Sequence, residues 1–101
     1  MSDVALITGG ANGIGRAVAL KLAANGFFVV IADREEVAGE EVRKTILARG
    51  GKAEAVRVDV TKAGEIEAVM GGVLQRHGRI DILANIAGGS IHRKLIEEMS
   101  W

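Results

Sequence analysis

Short apolar segments with the composition of β-strands alternate along this chain with longer segments that carry helical apolar stripes. The strand-like segments are rich in branched and aromatic side chains and cover residues 4–7, 27–31, 55–58 and 80–83. The first two are apolar enough to be buried on both faces, as parallel strands are. Strands that alternate with helices of about 10–15 residues predict a parallel sheet with crossover helices.

Three apolar stripes at helical spacing fill the intervals between these strands. The stripes consist of Ile14, Val18 and Leu22, then Ala38, Val42 and Ile46, then Ile66, Val69, Val73 and Leu74. Asn25-Gly26 predicts the end of the first helix, acidic Glu35 and Glu36 open the second, and Thr61 is expected to cap the third.

The order β-α-β-α-β-α-β predicts an α/β fold, a Rossmann-like doubly wound parallel sheet with strand order 3-2-1-4. Because such crossovers are right-handed, the first two helices should share one face of the sheet and the third should lie on the other. Residues 89–101 are expected to form an irregular tail. The fourth strand would then be a terminal edge, which invites pairing with another chain, so a homo-oligomer is expected.

Length and composition limit the chain to one ordinary globular domain. Its 101 residues fit a single domain, and with 49% hydrophobic residues it can bury a core. Thirteen basic and thirteen acidic side chains cancel, which gives no electrostatic case for nucleic acid or an anionic membrane. The absence of cysteine excludes disulfides and thiolate metal sites. The longest apolar run has six residues, far fewer than the roughly 20 that a membrane-spanning helix needs. We therefore expect a cytoplasmic protein that is not embedded in a membrane.

The segment TGGANGIG, residues 8–15, joins the first strand to the first helix. Glycines allow positive φ and a close approach of backbone to phosphate, and the helix N-terminus that follows offers free N–H groups to a pyrophosphate. The spacing is TGxxxGxG rather than G-x-G-x-x-G, because Asn12 stands where the middle glycine would be. A tight turn also needs glycine without any ligand, so this motif alone leaves both interpretations open.

Asp33 ends the second strand, 18 residues after Gly15. A carboxylate about 20 residues past the glycine turn is well placed to accept hydrogen bonds from an adenosine ribose. Its charge repels a 2′-phosphate, which favours NAD over NADP, whereas Arg34 could accommodate that phosphate. The structural alternative is that Asp33 only starts a loop and caps the second helix.

Two further motifs follow the third and fourth strands: DVT, residues 59–61, and NIAG, residues 85–88. The first is also explained by a turn and a helix cap. The second lies beside the point where strand order reverses, and its small residues would keep a cleft open next to the glycine turn. An ordinary strand end followed by a turn is the alternative.

Together, TGGANGIG, the aspartate after the second strand, DVT and ILANIAGG resemble the short-chain dehydrogenase/reductase family over residues 4–89. The resemblance implies that the glycine turn surrounds the cofactor pyrophosphate, Asp33 the adenosine ribose, residues 59 and 60 the adenine, and NIAG the nicotinamide-side ribose. Ile86 stands where the family's usual NNAG has its second asparagine. The candidate cofactor-binding residues are Gly9, Asn12, Gly13, Ile14, Gly15, Asp33, Arg34, Asp59, Val60, Asn85, Ala87 and Gly88.

The resemblance implies hydride transfer between a nicotinamide cofactor and an alcohol or carbonyl substrate, with a serine and a Tyr-x-x-x-Lys pair as catalytic groups. This chain contains no tyrosine, and Ser90 and Ser100 come too early to match the catalytic serine. No residue is therefore predicted to be catalytic, and the chain alone is expected to be inactive. Two histidines and scattered carboxylates predict no metal site. Three interpretations stay open: part of an NAD(P)-dependent oxidoreductase, a non-catalytic dinucleotide-binding module, or an interaction fragment that another chain completes.

Overall fold

The computed structural model describes residues 3–62 and 64–86, together with the backbone of residues 90–93. In chain order the elements are β1 (Val4–Thr8), α1 (Gly13–Ala24), β2 (Phe28–Asp33), α2 (Glu36–Ala48), β3 (Lys52–Arg57), α3 (Glu65–His77), β4 (Ile82–Asn85) and β5 (Ser90–Arg93). The sheet order is β3-β2-β1-β4-β5, with β1 parallel to β2 and β4, and β2 parallel to β3. The predicted order 3-2-1-4 is confirmed.

The sheet divides the core into two layers, one on each face. Leu6 and Val30 point to the face that α3 covers through Met70 and Val73. Ile31 points to the opposite face, which α1 and α2 cover. Successive residues of a strand face opposite sides, so the buried apolar strands β1 and β2 supply both layers. The predicted distribution of helices, two on one face and one on the other, is confirmed.

The first predicted helical stripe is wrong at its first position. Ile14 is 73% exposed, while Gly15 and Ala19 are the buried residues of α1. A Cβ on Gly15 would lie 1.9 Å from the carbonyl oxygen of Gly9, so the first turn of α1 rests directly on the glycine turn. This close approach turns Ile14 away from the sheet.

The start of α3 also differs from the prediction. The residue before the helix is Gly64, in the left-handed conformation with φ of 86°, and not Thr61. The Thr61 hydroxyl instead donates a hydrogen bond of 2.6 Å to Oδ1 of Asp59. At the other end of α3, His77 packs at 4.4 Å from the ring of Phe28, and its Nε2 lies 3.0 Å from Oε1 of Glu54.

The predicted irregular tail begins with a strand. β5 pairs with β4 in antiparallel register, with Asn85 opposite Ser90 and Ile82 opposite Arg93. The expectation that β4 is an open edge is therefore wrong, because β5 pairs along the edge of β4 opposite β1. Residue 89 and residues 94–101 of the predicted tail lie outside the described residues.

Candidate functional site

The carboxyl ends of the four parallel strands meet at one edge of the sheet. Thr8 at the end of β1 is opposite Ala32 of β2 on one side and opposite Asn85 of β4 on the other. Asp33 at the end of β2 is opposite Arg57 of β3. This register brings the first three motifs and Asn85 of the fourth to the same edge.

The glycine turn between β1 and α1 combines left-handed backbone with a close approach. Gly9 has φ of 75° and Gly13 has φ of 56°, and no atom lies within 4 Å of the position of a Cβ on Gly13. The N–H of Arg16 bonds to the carbonyl of Asn12, so the N–H groups before it belong to the unpaired first turn of a helix. This open space in front of a helix N-terminus fits an anionic group such as a pyrophosphate.

Asp33 contacts backbone on both sides of its carboxylate. Oδ2 accepts a hydrogen bond of 3.1 Å from the N–H of Ala11 in the glycine turn, and Oδ1 accepts one of 2.9 Å from the N–H of Glu35. The second bond is the loop-starting role that the sequence analysis gave as the alternative. An ionised carboxylate has about four acceptor positions, so two stay available for ribose hydroxyls.

A cavity of about 200 Å³ opens beside Asp33 at this edge. It is lined by Gly9, Ala32, Asp33, Arg34, Val58, Asp59, Val60 and Thr61. Asp59 is only 8% exposed, while the Val60 side chain is 41% exposed and Arg34 is exposed. Three of the four predicted motifs therefore share one cavity, which combines apolar walls with two carboxylates and one guanidinium.

Hydrogen bonds from Thr61 hold the Asp59 carboxylate in its charged form. The Thr61 hydroxyl and, at 3.0 Å, its backbone N–H both donate to Oδ1 of Asp59, and they lower the pKa of that carboxyl below its ordinary value. The positive charges of Arg34 and Lys62 add to this lowering. Asp59 is thus an anion that can accept hydrogen bonds at neutral pH.

The fourth motif joins the site through Thr8, which the list of candidate residues missed. Thr8 is 1% exposed, and its hydroxyl donates a hydrogen bond of 2.8 Å to Oδ1 of Asn85. The N–H of Ile86 bonds to the carbonyl of Thr8 at 3.0 Å. The sequence does offer a signal for Thr8, because it is the first residue of the TGGANGIG motif. Ala87 and Gly88 lie outside the described residues.

A larger cavity, of about 410 Å³, lies between α2 and β3, away from the glycine turn. Glu35, Glu36, Glu40 and Glu41 line it, with Lys44 and Arg57 as the cations. This excess of negative charge opposes the binding of phosphates in the larger cavity. Within residues 3–62, 64–86 and 90–93, no three potential ligands gather to hold a metal ion. No helix in the described part of the chain is long and apolar enough to cross a membrane.

The chain matches a known protein family and known relatives over most of its length. The family described as short chain dehydrogenase matches residues 3–100. The chain is 41% identical over 100 residues to L-2,3-butanediol dehydrogenase of Corynebacterium glutamicum, covering 96% of this chain but 38% of that enzyme. It is 34% identical over 93 residues to the short-chain dehydrogenase/reductase homolog YusS of Bacillus subtilis, covering 91% of this chain and 85% of that protein.

Solved structures agree with these sequence relatives. A metagenomic short-chain oxidoreductase in complex with NADP is 40% identical, with a TM-score of 0.79, over 82% of this chain and 38% of that one. A short-chain dehydrogenase/reductase from Burkholderia phymatum in complex with NAD is 35% identical, with a TM-score of 0.77, over 81% of this chain and 29% of that one. The chain thus spans little more than a third of several relatives that it matches. With this fold, these motifs and a family match over nearly its whole length, the chain belongs to the short-chain dehydrogenase/reductase family.

Proposed function

We propose that this chain binds a dinucleotide cofactor at the carboxyl edge of its sheet, as the cofactor-binding part of an NAD(P)-dependent oxidoreductase. The cavity that joins Gly9, Asp33 and residues 59–61 carries this proposal. Its volume of about 200 Å³ is several times the roughly 30 Å³ that one water occupies in the liquid, so it has room for a planar base. Gly9 of the glycine turn lines the same cavity, so a pyrophosphate linked to that base through the ribose would lie beside the turn.

Each part of the site has a distinct role in this proposal. The N–H groups at the start of α1 and the open space over Gly13 receive the pyrophosphate. The remaining acceptor positions of Asp33 take the ribose hydroxyls, while Asp59 and Val60 border the adenine. Asn85, held by Thr8, borders the nicotinamide-side ribose.

We further propose that NAD binds more tightly than NADP. A 2′-phosphate at the adenosine ribose would lie against the charge of Asp33, and Asp59 adds a second negative charge to the same cavity. Arg34 opposes this preference, but its charge also faces Asp59. The two related structures in complex with cofactor hold NADP in one case and NAD in the other.

A bound nicotinamide supplies or accepts the hydride that interconverts an alcohol and a carbonyl compound. The residues of this chain bind and orient that cofactor. The chain has no tyrosine and so does not contain the family's Tyr-x-x-x-Lys pair. We therefore propose that the catalytic groups, and the choice of substrate, belong to residues outside this chain.

Calorimetric titration of the purified chain with NAD, NADP and ADP tests this proposal. We expect NAD to bind more tightly than NADP, and ADP to bind detectably, because the adenosine half of the site is complete in this chain. Binding of none of the three would overturn the proposed function. Equal affinity for NAD and NADP would contradict the preference alone, and measurable turnover across a panel of alcohols would contradict the proposed inactivity.

The same cofactor affinity without turnover is expected of a non-catalytic binding module. We propose a cytoplasmic location for the protein. Its mass, measured after isolation from its source, distinguishes the oxidoreductase from the binding module, because a parent chain heavier than this one favours the oxidoreductase. Self-association stays a prediction, although the open β4 edge no longer supports it. Sedimentation over a dilution series tests it, and a monomer at all concentrations would contradict it.

A further inference from the structure

Glu65, the first residue of α3, contacts the loop that borders the cavity. Its Oε1 accepts a hydrogen bond of 2.9 Å from the backbone N–H of Asp59, six residues earlier. Asp59 is buried at the cavity wall, so its N–H has little access to water as a substitute acceptor. The carboxylate of Glu65 is thus a specific partner for this buried donor.

Most of the other hydrogen bonds of this loop are local. The Thr61 hydroxyl and N–H donate to the side chain of Asp59, and the N–H of Lys62 donates to the Asp59 carbonyl at 3.1 Å. Backbone bonds join the two ends of the loop to its neighbours: the N–H of Val58 donates to the Asp33 carbonyl at 3.0 Å, and the N–H of Glu65 donates to the Lys62 carbonyl at 3.3 Å. The bond from the Asp59 N–H to the Glu65 carboxylate differs, because it joins the cavity wall directly to a side chain of α3, which is fixed on the sheet through buried Met70 and Val73.

The start of α3 is built to direct Glu65 toward the loop. Gly64 has φ of 86°, a left-handed conformation that reverses the chain just before the helix begins. The positive end of the helix dipole stabilises a carboxylate in the first turn. Glu67 shares that first turn, but its side chain is exposed and lies beside Met70, Gly71 and Leu74 on α3 itself.

We propose that Glu65 is a positioning residue for the adenosine half of the cofactor site, a role that rests on the proposed dinucleotide binding. By accepting a hydrogen bond from the Asp59 backbone, Glu65 fixes Asp59 and Val60 at the wall of the cavity that they share with Asp33. If this hydrogen bond is lost, the wall formed by Asp59 and Val60 can move, while the hydrogen bond between the glycine turn and Asp33 stays in place. Ligands that contain adenosine should therefore lose affinity, and nicotinamide mononucleotide, which has none, should not.

The test compares Glu65→Ala and Glu65→Gln with Glu67→Ala, a control that removes the other carboxylate of the same helical turn. Amide hydrogen exchange of Asp59, measured by NMR without ligand, reports on the hydrogen bond itself. Affinities for ADP, NAD and nicotinamide mononucleotide report on its role in binding. We expect Glu65→Ala to speed Asp59 exchange and weaken ADP and NAD by about tenfold, equivalent to about 1.4 kcal/mol. Glu65→Gln keeps an acceptor oxygen, so its Asp59 exchange rate and its affinities should lie between those of Glu65→Ala and the unaltered chain. Glu67→Ala should have the exchange rate and affinities of the unaltered chain.

Unchanged exchange of the Asp59 amide in Glu65→Ala would overturn the positioning role. Equal losses for ADP and nicotinamide mononucleotide would also overturn it, because they would indicate a general loss of structure. If the unaltered chain binds no adenosine ligand, the proposed function fails and the role in binding fails with it. Exchange measured without ligand would then still show whether the hydrogen bond exists, which keeps the two failures distinguishable.

Discussion

The backbone N–H of Ala11 donates a hydrogen bond of 3.1 Å to Oδ2 of Asp33, which ties the glycine turn after β1 to the carboxylate that ends β2. The other oxygen of Asp33 holds the N–H of Glu35, just before α2. One carboxylate therefore joins the backbone of the glycine turn to the backbone just before α2. Asp33 has a structural role and, in the proposed function, a role toward the ribose, and variants at this position affect both.

Replacement of Asp33 should narrow the preference for NAD. In Asp33→Ala the ribose loses its acceptor and the repulsion of a 2′-phosphate disappears, so the ratio of the NAD and NADP affinities should fall by up to about tenfold, or about 1.4 kcal/mol. Calorimetric titration measures both affinities. Asp33→Asn is the matched variant, because its single carbonyl oxygen can keep one backbone bond without the charge. A ratio unchanged in both variants would contradict the assignment of Asp33 to the ribose.

Gly13→Val should abolish cofactor binding. The valine side chain would fill the open space over the helix N-terminus, in a backbone with φ of 56° that branched residues oppose. Gly26→Val is the matched control, since Gly26 also has positive φ and no atom near its Cβ position, but lies beyond the C-terminal end of α1. Both variants should lose stability in thermal melts, and only Gly13→Val should lose binding. Equal binding by the two variants would indicate a turn glycine without a ligand.

Alanine substitutions at Gly15 and Gly71 should have opposite effects on stability. A Cβ on Gly15 would collide with the Gly9 carbonyl at 1.9 Å, and overpacking of this kind costs about 1–3 kcal/mol. A Cβ on Gly71, inside α3, meets no atom within 4 Å, so Gly71→Ala should stabilise by about 0.5–1 kcal/mol. Urea unfolding measures both changes. Equal stability of the two variants would contradict the close approach of α1 to the glycine turn.

The stability of the fold should fall in acid partly through Asp59. Its pKa lies below the ordinary value of 3.8 because the Thr61 hydroxyl and N–H bond to the charged carboxylate. A pKa lowered by folding contributes stability that is present above the unfolded value and lost as the pH falls through the folded value. Thr61→Val should therefore raise the pKa of Asp59 and reduce the loss of stability between neutral pH and pH values below 3.8.

NMR titration of the Asp59 carboxyl and urea unfolding across this pH range measure the two effects. Thr45→Val serves as the control, because the Thr45 hydroxyl donates its hydrogen bond to the backbone carbonyl of Glu41 inside α2. An Asp59 pKa that is the same in Thr61→Val as in the unaltered chain would show that the hydroxyl has no part in the lowering.

Local patterns in the sequence predict the sheet and most of the candidate site. The period of apolar residues distinguishes strands from helices, and the right-handed crossover then determines which face each helix covers. The same rule brings the ends of parallel strands together, which is why Gly9, Asp33 and Asp59 could be assigned to one edge before any contact was known. These predictions depend only on the order of elements along the chain.

Contacts between loops could not be predicted from the sequence and are seen in the tertiary structure. The exposure of Ile14 depends on how closely α1 packs against Gly9, and the apolar period of α1 does not predict that distance. The strand β5 has the sequence SIHR, in which Ile91 is the one branched apolar residue, so it lacks the composition of the other strands. It pairs with the free edge of β4, a contact that its own sequence does not indicate. Local periodicity and chain order are sufficient to predict the strand order β3-β2-β1-β4 and the residue types at each strand end. The pairing of donors with acceptors, as for Asp59 with Glu65, depends on the path of each loop in space, so it is found in the folded structure alone.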